Sequence, residues 1–160
     1  MGHMDKVVDD EVLYRNVRPD RRRYAVDPDG TLHITSEAFL DPRNSPSVDR
    51  ANLCDNNPNH TQVTPDDGVT SLLTLFVRSI QEVGKHDKRG NLVPPPYVVD
   101  VHADPIVGDS TLRENLAHAI IVTTPKCNDN EFKKLRRSLA RHATERGWMI
   151  KPKELRSPGE

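Results

Sequence analysis

The stretch "YVVDVHADPIVGDSTLRENLAHAIIV", Tyr97 to Val122, decides the fold. In an extended chain successive side chains point to opposite sides, so Tyr97, Val99, Val101 and Ala103 share one face. Val98, Asp100, His102 and Asp104 share the other. The run from Leu116 to Thr123 is apolar at both parities except at His118, which is the pattern of a strand in the interior of a sheet. Two neighbouring strands are therefore predicted, joined by a loop that holds Gly108 and Asp109.

Working outward, "EVLYRNV" (Glu11 to Val17) alternates as a strand, and "RRRYAVDPDGTLHIT" places the turn residues Asp27-Pro28-Asp29-Gly30 between two β-prone runs, a hairpin. Ser36 or Thr35 is placed to cap a short helical turn through "EAFL", and Ser47 another through "VDRANLC". Thr64, followed by Pro65, Asp66 and Asp67, reads as the start of a longer helix, with Val69, Leu72, Leu73, Phe76, Ile80 and Val83 at helical spacing and Gly84 as its stop. A second helix is predicted after the cap residue Asn128, with Phe132, Leu135, Leu139 and Ala143 on one stripe and Gly147 at its end. "WMIKP" reads as a last short strand. The predicted fold class is α+β: one domain, a mostly antiparallel sheet with two principal helices packed on one face.

The boundaries that follow are residues 1–4 ("MGHM") as an expression remnant, 5–153 as the domain, and 154–160 as a disordered tail. With 160 residues, 34% hydrophobic and 29% charged, and thirteen prolines, the chain encloses a modest core and leaves much of itself as loop. Cys54 and Cys127 are too few for a disulfide framework; a single bridge stays open on these grounds, and reduced thiols are the simpler expectation. With neither a signal-like leader nor a run of roughly 18 apolar residues, the chain is expected to be cytoplasmic and to have no membrane partner.

Net charge is −1, yet from Glu131 to Lys153 eight lysines or arginines face only two acids, so a basic segment is attached to an acidic body. Lys133, Lys134, Arg136, Arg137, Arg141 and Arg146 spread over the faces that the apolar stripe leaves open. That distribution suits contact with a phosphate backbone, and equally an ordinary solvated helix; Lys133, Arg136, Arg137 and Arg141 are the candidate nucleic-acid contacts. Partners are otherwise unspecified: a protein, a nucleotide or a nucleic acid.

Two constellations carry possible chemistry. Asp100, His102 and Asp104 on the first strand, with His118 on the second, could complete a metal site, though no zinc spacing such as HExxH appears, or an acid–base group of His102, Asp104 and His118, since a carboxylate can fix an imidazole that takes a proton near neutral pH. The alternative is a wet strand face beside a satisfied histidine. Arg15, Arg18, Ser47 and Arg50, near Ser36, Ser45 and Asp49, form a candidate anion site, because guanidinium forks match phosphate oxygens. Against it, Ser36 and Ser47 are also explained as caps. Cys54, His60 and Cys127 lack the paired spacing of a zinc site, so no metal is predicted, and no motif implies a cofactor. A serine nucleophile would want a G-x-S-x-G elbow, which is absent.

The segments "TLHITSEAFLDP", "SPSVDRANLC" and "ENLAHAIIV" resemble a pattern of small bacterial proteins of unassigned function: serines before "AF", then "SVDRA", then "NPAHA". Here Thr35 replaces one serine and Leu116 the proline. The resemblance implies no activity, and directs attention to Ser36, Phe39, Asp49, Arg50 and His118. A second likeness, to ADP-ribosyltransferase-type domains, rests on "LYR" and "ITSEAF", without that family's glutamate motif. The functional expectation is a small soluble bacterial binding or accessory module. The alternatives are a phosphate-handling or nucleotide-modifying enzyme using His118 or His102 with Asp104, and nucleic-acid binding through the basic helix.

Overall fold

In the computed structural model, which describes residues 6–155, the alternating stretches become eight strands. They are β1 (Val12–Val17), β2 (Tyr24–Val26), β3 (Leu32–Ile34), β4 (Ser47–Arg50), β5 (Gly68–Leu73), β6 (Val98–Ala103), β7 (His118–Thr124) and β8 (Trp148–Ile150). Six of them form one sheet in the order β6-β7-β4-β1-β5-β8, every neighbouring pair antiparallel. The predicted hairpin is β2 with β3, a separate ribbon that turns at Gly30, whose φ of 86° lies in the left-handed region. The opening stretch supplies β6 and β7, with Val99 opposite Thr123 and His102 opposite Ile120. The fold is mixed α+β, with one main helix, α2 (Asp129–Arg146), and a short one, α1 (Thr74–Arg78).

Helix α2 starts and stops where its chemistry requires. The Asn128 side chain accepts from the Glu131 amide at 2.9 Å while Glu131 accepts from the Asn128 amide at 2.8 Å, a reciprocal cap. Its stop is Gly147, with φ 82°. The predicted stripe of Phe132, Leu135, Leu139 and Ala143 is buried against Leu13, Val17, Leu72, Val101 and Ile121 of the sheet. A smaller apolar cluster, Tyr14, Ala51, Cys54, Val69 and Ala117, forms separately. Cys127 belongs to the first cluster and Cys54 to the second, both as free thiols, so the open disulfide question is answered. Burial, helped by Asp49, pushes the Cys54 thiol up to about 11.

Two local expectations are corrected. The helix predicted from Pro65 to Val83 is strand β5 followed by the five residues of α1. Strand β5 pairs with β1 along all six of its residues and is buried at nearly every position, and a run buried on both faces carries no wet-and-dry period to separate strand from helix. Gly68 opens β5 where Trp148 and Pro152 come close: a Cβ there would meet the Trp148 ring at 2.7 Å and the Pro152 ring at 2.8 Å. Likewise "VDRANLC" is strand β4 and then a 3-10 turn, Ala51–Leu53. Of the predicted tail, Glu154 and Leu155 lie in a 3-10 turn, where Glu154 accepts from the Tyr24 hydroxyl; residues 156–160 and the remnant 1–4 lie outside the described residues. No helix among the described residues is long and apolar enough to cross a membrane.

One buried histidine gives the fold a pH dependence. The His142 Nε2 accepts from the Leu73 amide at 3.0 Å and the ring stacks on Phe76 with centroids 3.9 Å apart, so the neutral form is the one the fold uses. Burial, then the nearby Arg146, holds its pKa below the ordinary 6.5. The unfolded chain thus takes up a proton that the folded chain resists. This contribution to stability is complete above about pH 6.5 and is lost as pH falls toward the lowered folded value. Urea unfolding at pH 7.5 and pH 5.5 should show a lower midpoint in acid, and His142→Gln should shrink the difference.

Candidate functional site

The site begins as a defect in sheet pairing. Strand β1 is bonded to β5 along its whole length, but to β4 only at Leu13 with Arg50 and Tyr14 with Asp49. Beyond that point β1 and β4 diverge, each still held by its outer neighbour, and the sheet forks at its centre. A cleft of about 1280 Å³ lies at the fork, above the roughly 300–1,000 Å³ of most small-molecule sites.

Two arginines define the fork. At its closed end Arg50, 2% exposed, gives Nε to Glu11 Oε1 at 2.7 Å and an Nη to Glu11 Oε2 at 2.9 Å. At its open end Arg15 gives Nη1 to the Ser47 carbonyl at 2.8 Å, across the gap, and its other nitrogens to the Ala38 and Leu40 carbonyls at 3.1 and 3.2 Å. Enclosure of this guanidinium is the largest cause lowering its pKa to about 10, with Asp41 acting in the opposite sense and Arg23 in the same one. The Arg15 fork is thereby committed to backbone, lying 5.8 Å over the Phe39 ring.

On the helix side, the wall of the cleft is Asp129, Phe132, Lys133 and Arg136 of α2. The Arg136 side chain is 8% exposed, and its closest acceptors are distant: Glu37 Oε1 at 3.6 Å and the Ser36 carbonyl at 3.5 Å. Its Nε is buried with no hydrogen-bond partner among the described residues. A buried donor without an acceptor costs roughly 1–3 kcal/mol, more on a charged group. Arg18, Arg23 and Arg113 also line the cleft, making six lysines or arginines in the lining against four carboxylates.

Opposite stands a neutralising network. Asp49 accepts from the Thr61 hydroxyl on one oxygen and from Asn115 Nδ2 on the other, both at 2.8 Å. Because Asn115 Oδ1 accepts from the Ala117 amide at 3.1 Å, the His60 Nε2 that meets it at 3.0 Å must carry the proton. His60 Nε2 lies 3.9 Å from Asp49, too far for a hydrogen bond.

Of the candidate anion site, the structure brings Arg15, Arg18, Ser47 and Asp49 to the cleft, while Arg50 sits behind it in its ion pair. The acid–base trio is elsewhere. His102 is 57% exposed and 3.4 Å from Asp100, whose carboxylate is also bonded by Arg78 at 2.7 Å. His118 Nδ1 meets the Asp104 carbonyl at 2.9 Å and its carboxylate at 3.3 Å. None of His102, Asp104 and His118 lines the cleft. The basic helix is divided: Lys133 and Arg136 face the cleft, whereas Arg137 is exposed and Arg141 lies 3.6 Å from Glu82. Among the described residues no group of three or more His, Cys, Asp or Glu side chains is placed to hold a metal ion.

Reading of the sequence missed Arg23 and Arg113, and took His60 only as a metal candidate. Arg113 stands in a loop with no periodicity, and only the pairing of β4 with β1 and β7 brings Asn115 and His60 together. No family model, curated protein or solved structure matches this chain.

Proposed function

We propose that the protein is a small-molecule binding module whose ligand carries a phosphate or carboxylate group, taken up in the fork between β1 and β4. The observation that carries this reading is Arg136: a guanidinium more than nine-tenths buried, on the cleft wall, with a donor that no group among the described residues accepts. An anion supplies the missing acceptor, and the surplus of basic side chains around the cleft favours it in a chain of net charge −1. Arg15 and Arg50 shape the site, and Arg136, Lys133 and Arg18 meet the ligand. A cytoplasmic setting belongs to the same reading, because two buried unpaired cysteines suit a reducing compartment.

Calorimetric titration with inorganic phosphate at fixed ionic strength tests it. One site is expected, and Arg136→Met should weaken it at least about tenfold, the loss of one charge-assisted hydrogen bond. Arg137→Met, exposed and outside the cleft, should leave it unchanged. Equal effects of the two substitutions would refute the reading.

A further inference from the structure

The two walls of the fork ask for different chemistry, and together they narrow the ligand. Resting on the anion-binding reading above, we infer that the ligand is a nucleoside monophosphate, its phosphate on Arg136 and Lys133, its ribose hydroxyls on Asp49, and its base at the rim.

The helix wall is satisfied by any anion. Asp49 is not. Its side chain is 10% exposed in a cleft lined by basic groups, and it must attract donors. A carboxylate offers about four accepting positions, and the Thr61 hydroxyl and Asn115 amide take one on each oxygen. A vicinal diol presents two O–H donors at the spacing of one carboxylate, and it brings no charge of its own. Asp49 repels a second phosphate, so the group at this wall is neutral.

The rim adds the third requirement. Val63 and Leu112 both line the cleft, 76% and 54% exposed. Isolated exposed apolar side chains are ordinary on a protein surface, but here they flank the mouth of a polar cleft. A planar base has two apolar faces for such side chains and a polar edge, which neither a bare anion nor a sugar phosphate offers. The volume of about 1280 Å³ leaves room for all three parts with water.

The test is a ladder of ligands measured by calorimetry at constant ionic strength: inorganic phosphate, ribose 5-phosphate, then adenosine and uridine monophosphates. Each added part should tighten binding about tenfold, the scale of one or two net hydrogen bonds or one buried apolar face. Asp49→Asn should remove the ribose step, so that ribose 5-phosphate binds no more tightly than inorganic phosphate. Leu112→Ser, at an exposed position that does not endanger folding, should remove the base step alone. If all the phosphates bind equally, the nucleotide inference fails and the anion cleft stands. If ribose 5-phosphate binds as tightly as the nucleotides, or Leu112→Ser has no effect, the base assignment is overturned. If no phosphate binds at all, both readings fall.

Discussion

Arg50→Met is expected to destabilise the folded chain by about 3–5 kcal/mol, the usual consequence of removing one partner from a buried ion pair. Arg50 and Glu11 are 2% and 4% exposed in their side chains and joined by two charge-assisted hydrogen bonds at 2.7 and 2.9 Å. Glu11 also accepts from the Val8 amide at 2.7 Å, and Arg50 gives an Nη to the Lys6 carbonyl at 3.1 Å. Without Arg50 the buried Glu11 carboxylate loses its counter-charge, and the segment ahead of β1 loses one of its anchors, the bond to the Lys6 carbonyl. Domains of this size have net stabilities of about 5–15 kcal/mol, so a large fraction is at stake. Guanidinium unfolding measures it. The double variant Arg50→Met with Glu11→Leu should recover much of the loss, because replacing both members of a buried pair with apolar groups is often neutral. A single variant within about 0.5 kcal/mol of the parent, the range of ordinary surface substitutions, would show that the pair is not the closure of the fork.

Arg15→Met should cost about 3 kcal/mol, since a hydrogen bond from a charged group contributes roughly 1.5–3 kcal/mol and three are lost here, one of them to a carbonyl that water reaches. Arg15 ties the carbonyls of Ala38, Leu40 and Ser47 to β1, so without it the segment around Phe39 should loosen from that strand. Arg15→Lys should rescue little, because a single ammonium cannot span three carbonyls as a planar fork does. Faster hydrogen exchange confined to the 36–47 region, beside a lowered unfolding midpoint, is the expected signature. An unchanged midpoint, with phosphate binding lost, would instead make Arg15 a ligand contact rather than a brace.

Much of the fold is legible along the chain because its strands keep a period of two where one face is wet. β1, β6 and the hairpin of β2 and β3 are examples, and the capping box of α2 is equally plain. β5 was not legible, because burial on both faces erases the alternation, and Val69, Leu72 and Leu73 fit a helix as well as a strand. The site was legible in part. Arg15, Arg18 and Ser47 were identified by residue type, but that Arg15 serves the backbone depends on where Ala38, Leu40 and Ser47 come to lie. Arg136 was visible only as one of many charges on a basic helix. Its burial is a property of packing against Ser36 and Glu37, a hundred residues earlier in the chain, and no local pattern records it. The trio of Asp100, His102 and Asp104 teaches the reverse: a vivid local pattern that the sheet splits, with His102 facing solvent, Asp100 paired to Arg78 and Asp104 set against His118.

The most direct test follows the arginine Nε–H resonances of the nitrogen-15-labelled protein during a titration with inorganic phosphate. The signal of Arg136, whose Nε has no acceptor among the described residues, should move and saturate along a single binding curve, with Arg18 following. Arg50, held by Glu11, should stay where it is, and Arg137 and Arg141 should drift only weakly and without saturation. Saturating shifts confined to Arg137 and Arg141, with Arg136 unmoved, would contradict the assignment of the fork as the binding site.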